Sequence, residues 1–150
     1  MKFHFLWVGK TKNKNWLALQ DEYLKRLGRF CKFSITELKD KASHETVEAE
    51  GNRILEKVNP SSFVCLLDVG GKSITSHEFA SQIEDWQIKG IKELTFVIGG
   101  FEGVSSAVEE RADYALSLSF LTMTHEMARV VLIEQIYRAF TILKGHPYQK

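Results

Sequence analysis

The spacing of apolar residues switches repeatedly between the two-residue period of a strand and the longer period of a helix. Lys2 to Val8 is an aromatic and aliphatic run stopped by Gly9, the pattern of a strand. Asn15 then stands as an N-cap before one helical stripe of Trp16, Leu19, Tyr23, Leu24 and Leu27. Asp21/Lys25 and Glu22/Arg26 are supportive i,i+4 pairs on that helix, and Gly28 supplies its stop. Phe33 to Leu38 alternates apolar and polar residues, as a half-buried strand does. Ser43 to Val58 is charged, with a thin stripe at Val47, Ile54, Leu55 and Val58, and Pro60 stands just beyond it. Phe63 to Leu67 is continuously apolar, which predicts a strand covered on both faces.

Thr75-Ser76-His77-Glu78 has the form of a capping box, opening a helix that carries Phe79, Ile83 and Trp86 inward and ends at Gly90. Leu94 to Ile98 reads as a second buried strand, running straight into Gly99-Gly100. A short helix near Val104 to Arg111, a weak strand from Tyr114 to Leu118 and a long helix from His125 to Leu143 complete the series. Alternating elements of this kind predict an α/β protein with a mainly parallel sheet covered by helices. No internal repeat, low-complexity tract or linker divides the chain, so residues 1–150 read as a single domain.

Composition narrows the class. A chain of 150 residues buries roughly two-thirds of its unfolded surface, enough for a substantial core. At 44% hydrophobic and 26% charged residues it is an ordinary globular composition rather than a disordered one. No apolar run approaches the roughly 20 residues of a membrane span. The opening Met1 to Val8 lacks a small-residue cleavage site and reads as a strand rather than a signal peptide. Cys31 and Cys65 form no CxxC pair and read as buried free thiols of a reducing, cytoplasmic compartment. The net charge of +1 argues against a general RNA coat, so any RNA substrate must be recognised by shape or within a larger assembly.

Several catalytic motifs are approached and missed. Asp68-Val69-Gly70-Gly71-Lys72-Ser73 ends like a phosphate-binding loop, but the first glycine of that motif would fall at Leu66, inside a strand. Gly99-Gly100-Phe101-Glu102-Gly103 is GGxxG rather than GxGxxG, and no acidic residue is placed to bind a ribose. His125-Glu126-Met127-Ala128-Arg129 puts a cation where a zinc-binding HExxH needs its second ligand. His4, His44, His77 and His146 lie in separate segments, no serine stands in a GxSxG elbow, and no metal is expected.

What remains is a set of three segments after strand ends: 68–73, 99–103 and 117–124. Ligands of open α/β sheets bind at such ends. Two segments are glycine-rich, and the third, Leu118-Ser119-Phe120-Leu121-Thr122-Met123, offers backbone polar groups flanked by apolar side chains. The same pattern also fits ordinary turns beside a buried loop. The long helix is apolar on more than one face through Met127, Val130, Val131, Ile133, Ile136, Tyr137, Phe140 and Leu143. It is either central to the protomer or packed on a second copy of the chain. Arg129 and Arg138, the latter spaced to pair with Glu134, read as surface ion pairs or as anion or RNA-backbone contacts.

The series Leu67-Asp68, Val97-Ile98-Gly99-Gly100-x-Glu102-Gly103, Tyr114 to Ser119, Thr122-x-x-His125, Arg129 to Phe140 and His146-Pro147-Tyr148 resembles the RlmH family over essentially the whole chain. The opening Val8-Gly9-Lys10 and Glu22 to Leu27 resemble it too. These are SPOUT methyltransferases that modify N3 of a pseudouridine in large-subunit ribosomal RNA. The resemblance implies a C-terminal trefoil knot, a homodimer and action on the assembled ribosome. It implies S-adenosylmethionine contacts at Leu67, Gly99, Leu118, Ser119, Phe120, Leu121, Thr122 and Met123. One departure stands out: the family commonly has proline just before the histidine, where this chain has Thr124.

Methyl transfer to a ring nitrogen needs alignment, exclusion of water and help in removing a weakly acidic proton. Arg138, His146 and Tyr148 are the candidates, placed where a C-terminal tail reaches across a dimer. His146 is suited to accept a proton, Tyr148 to stack on or hydrogen-bond the base, and Arg138 to stabilise negative charge or hold phosphate; the tail alternatively only orders the substrate. A SPOUT enzyme with another RNA target, such as a transfer RNA, and a non-catalytic ribosome-binding relative are the competing readings.

Overall fold

A computed structural model describes residues 1–148. The elements follow one another as β1 (Lys2–Val8), α1 (Lys14–Leu27), β2 (Lys32–Leu38), α2 (Val47–Lys57) and β3 (Phe63–Ser73). They continue as α3 (Ser76–Ile88), β4 (Glu93–Ile98), α4 (Ser106–Arg111), β5 (Tyr114–Ser117) and α5 (His125–Leu143). The five strands form one sheet in the order β2-β1-β4-β3-β5, and every pairing is parallel. The mainly parallel sheet expected from the alternation is therefore wholly parallel.

Each face of the sheet is covered, as parallel strands require. On one face Phe3, Phe5 and Trp7 of β1 and Phe96 and Ile98 of β4 meet α1, α3 and α5. Phe96 stacks with both Phe3 and Phe5 at centroid distances of 6.0 Å. On the other face Leu6, Val8, Val64, Leu66 and Val97 meet Ile54 of α2 and Val108 of α4. Val130, Leu132, Ile133, Ile136, Ala139 and Phe140 are all buried within the protomer, so α5 is a central helix.

Three local expectations are corrected. The cap of α1 is Asn13, whose side chain accepts from Asn15 and Trp16, rather than Asn15 itself. Helix α2 begins at Val47 instead of near Ser43, because Thr46 adopts an extended conformation and caps it. The largest difference is β3, which runs on to Ser73 where the glycines predict a loop from Asp68. Its register breaks between Leu67 and Lys72, both of which pair with Leu116. A Cβ at Gly71 would lie 2.8 Å from backbone atoms of Ala115 and Leu116. Gly71 thus serves a close approach of two strands.

The capping box is formed as expected, with Glu78 N–H donating to Thr75 and Thr75 N–H to the Glu78 carboxylate. Of the two predicted pairs on α1, Glu22 and Arg26 form an ion pair. Cys31 and Cys65 are free thiols, and burial pushes the Cys31 thiol up to about 12. Among the described residues, no helix is long and apolar enough to cross a membrane, and no cluster of His, Cys, Asp or Glu suits a metal ion.

Candidate active site

A cavity of about 820 Å³ opens at the C-terminal ends of β4 and β5 and beside the middle of β3, where its register breaks. Leu67 to Val69 form one wall, and the stretch from Ile98 through the glycines to Val104 forms the second. Leu116, Leu118, Ser119 and Leu121 to Thr124 form the third, and the first turn of α5 closes the end. The volume suits a ligand of several hundred daltons, and the mix of apolar walls with few polar groups is that of a small-molecule site. Seven of the eight residues expected at the cofactor line this cavity: Leu67, Gly99, Leu118, Ser119, Leu121, Thr122 and Met123. Phe120, the eighth, is outside the lining and 77% exposed.

Short-range polar contacts shape the third wall. The Ser117 hydroxyl donates to the carbonyl of Ser119 at 3.1 Å, and the Leu121 N–H donates to the Ser119 hydroxyl at 3.0 Å. Thr124 then caps α5 by accepting from the Met127 N–H at 3.3 Å. The Thr124 hydroxyl thus satisfies one of the helix's open donors. The φ of −62° at Thr124 is also the angle proline imposes, so the expected proline is compatible with the backbone at this position.

The glycine wall depends on side chains from outside the cavity. Gly103 has a φ of +84°, and its N–H closes a turn onto the carbonyl of Gly100. The N–H of Gly100 donates to the carboxylate of Glu50, a buried residue of α2, at 3.3 Å. Beyond the rim, Glu102 pairs with Lys41. Phe101 between them is 93% exposed. Glu50 escaped the sequence reading because it belongs to a charged helix that carries no catalytic motif. Gly51 beside it was the available signal, since glycine inside a helix costs stability unless a close contact requires it. A Cβ there would meet the Ser105 hydroxyl, at the far end of the same wall.

The base of α5 is fastened to the loop after β1. The Glu126 carboxylate accepts the N–H groups of Lys12 and Asn13, and these bonds hold its pKa below the usual range. Arg129 is 1% exposed, so it is neither a surface ion pair nor an RNA contact. Its guanidinium donates to the carbonyl of Val8 at 2.6 Å and to Thr11 at 3.0 Å, and lies 5.0 Å from the ring centre of Trp7.

Arg138 and Tyr148 meet at the other end of α5, and His146 lies in the segment that follows the helix. Arg138 pairs with Glu134 and lies 5.0 Å from the ring centre of Tyr148. Tyr148 donates to Glu134 at 2.9 Å and packs edge-on against Tyr137. His146 is exposed, and its backbone N–H donates to the carbonyl of Thr141. Ala128 touches the cavity, whereas Arg138 lies about 15 Å farther along the helix axis at the usual rise per residue. Within one protomer the two groups are not adjacent.

A family model described as "Predicted SPOUT methyltransferase" matches residues 1–149. The chain is 46% identical to "Ribosomal RNA large subunit methyltransferase H" of Streptococcus pneumoniae (strain CGSP14), over all of both chains. It is 45% identical to the protein of the same name from Clostridium botulinum (strain Kyoto / Type A2), again over all of both chains.

Proposed function

Because the chain belongs to the SPOUT methyltransferase family, we propose that it transfers a methyl group from S-adenosylmethionine to N3 of a pseudouridine in bacterial large-subunit ribosomal RNA. The substrate is the assembled ribosome in the cytoplasm, and the working form is a homodimer of single-domain protomers with the C-terminal half knotted. The observation that carries the reading is the convergence of Leu67, Gly99, Leu118, Ser119 and Leu121 to Met123 on one cavity, in a chain that aligns end to end with two ribosomal RNA methyltransferases.

The residues present fit the methyl donor. Leu67, Leu118 and Met123 supply apolar surface for a purine, and the glycines let its edge approach the backbone. When bound, S-adenosylmethionine supplies an electrophilic methyl on a sulfonium. Transfer of that methyl to N3 would leave the sulfur as a neutral thioether and would require the N3 proton to go to a base or to water. His146 is exposed and suited to take that proton. Arg138 offsets negative charge on the base, and Tyr148 presents a ring for stacking.

The distance along α5 supports the homodimer. With Arg138 about 15 Å beyond Ala128, a tail delivered by a second copy brings those side chains to a cavity that its own protomer's tail does not reach. An assembled ribosome also accounts for the small net charge, since RNA presented in a fixed shape needs fewer phosphate contacts from the enzyme.

The test is incubation of the purified protein with labelled S-adenosylmethionine and ribosomes lacking the modification, followed by mass spectrometry of the RNA. One methyl on N3 of a large-subunit pseudouridine is the expected result. A methyl elsewhere, or on transfer RNA alone, overturns the target. Absence of transfer despite bound donor overturns the catalytic assignment.

A further inference from the structure

We propose that Glu50, outside the cavity and remote from the reacting atoms, is the positioning residue that sets the glycine wall for the methyl donor. The inference rests on the reading that this cavity takes S-adenosylmethionine. Glu50 is 3% exposed, a rare place for a carboxylate without a structural partner. Its acceptor faces the backbone N–H of Gly100 at 3.3 Å, and Gly100 lines the cavity. A Cβ on Gly100 would stand 2.7 and 2.8 Å from the two carboxylate oxygens, so the carboxylate sits against this strand end with no room for a side chain between them.

The neighbouring helix position holds the other end of the same wall. A Cβ on Gly51 would stand 2.0 Å from the Ser105 hydroxyl, which is buried against α2. Consecutive residues of one helix therefore support Gly100 and Ser105, Glu50 by a hydrogen bond and Gly51 by close approach, while the segment between them carries Gly103 at positive φ and the exposed Phe101. A wall built from glycine has little intrinsic conformational preference. Its shape must come from what it leans on, and α2 supplies both supports. Removing the acceptor leaves Gly100 free to turn its N–H away, and the backbone groups facing the ligand shift with it.

The experiment is calorimetric titration of the purified protein with S-adenosylmethionine, together with steady-state kinetics on unmodified ribosomes. Glu50→Ala and Glu50→Asp, which withdraw the acceptor, weaken donor binding by about tenfold, the range of one hydrogen bond to a charged group. Glu50→Gln keeps an acceptor oxygen and restores binding to within about threefold. The loss appears as a raised KM for S-adenosylmethionine, with the KM for ribosomes and kcat at saturating donor unchanged.

Gly100→Ala also weakens binding, by forcing a methyl onto the carboxylate, but adds little in the Glu50→Ala or Glu50→Asp background. Such coupling marks direct contact. Wild-type affinity in Glu50→Ala or Glu50→Asp, failure of Glu50→Gln to rescue, or independent effects in the double variants would each overturn the assignment. Absence of donor binding by the wild-type protein would instead overturn the cofactor reading beneath it.

Discussion

Glu134 accepts the phenol of Tyr148 at 2.9 Å and the guanidinium Nε of Arg138 at 3.0 Å on the same carboxylate oxygen. One side chain thereby ties the C-terminal tail to α5 and fixes Arg138 over the tyrosine ring. Its second oxygen accepts from Gln135, which in turn accepts from Ser76 at the start of α3. The tail is anchored through this chain to a helix that follows the cavity strand β3.

Glu134→Ala releases both partners. Under the proposed reaction, kcat falls about ten- to a hundredfold, because a charge-assisted contact that orients two groups is lost. Donor affinity stays within about twofold, since the cavity is at the opposite end of α5. Single-turnover methylation and donor titration on the same preparation check the split.

Tyr148 titrates above its ordinary value of 10.0, raised by burial, then by the hydrogen bonds with Tyr23 and Glu134. The folded protein holds the phenolic proton more tightly than the unfolded chain. This contribution to stability is intact below pH 10 and is lost as pH rises through the folded value. Tyrosinate absorbance compared between wild type and Tyr148→Phe measures that residue's ionisation, and Glu134→Ala moves it back toward the ordinary value.

Gly71→Ala places a methyl within 2.8 Å of the β5 backbone, where no rotamer relieves the contact. The expected cost is about 1–3 kcal/mol in urea unfolding, as for other overpacked sites. Because β5 leads directly into Leu118 to Met123, donor affinity falls as well. Ala at Gly90, where a Cβ meets nothing but φ is +77°, costs only the backbone strain and leaves donor affinity unchanged.

Thr124→Ala removes the α5 cap and costs about 1 kcal/mol by the same measurement. Thr124→Pro also removes the hydroxyl but retains the observed φ and stiffens the unfolded chain, so it is less destabilising than the alanine variant.

Some boundaries set by local chemistry were legible, although the caps of α1 and α2 were misplaced because more than one cap-forming residue stands near each start. The capping box starts α3, and the apolar period together with Thr124 starts α5 at His125. The end of β3 was not legible, because Gly70-Gly71 has the composition of a turn and only the arrival of β5 makes it a strand. Arg129 was misread for a related reason. An arginine on a helix is ordinarily solvated, whereas its partners Val8 and Thr11 come from more than a hundred residues away in sequence. The cavity walls could be anticipated because strand ends point to them. Glu50 could not, since its relation to Gly100 exists only after α2 has folded over the sheet.

The strand order has a consequence for how the chain acquires its shape during synthesis. Lys2 of β1 pairs with Lys32 on one side but with Glu93 on the other, so half of the first strand's ladder waits for most of the protein to emerge. The apolar face of α1 waits longer still, for α5. Such distant pairings slow folding, and at the usual pace of translation the N-terminal β1-α1-β2 segment stands with unpaired edge and uncovered helix for several seconds. The nascent chain thus exposes the most unpaired edge and uncovered apolar surface while its N-terminal segment is complete and its last helix is still being made.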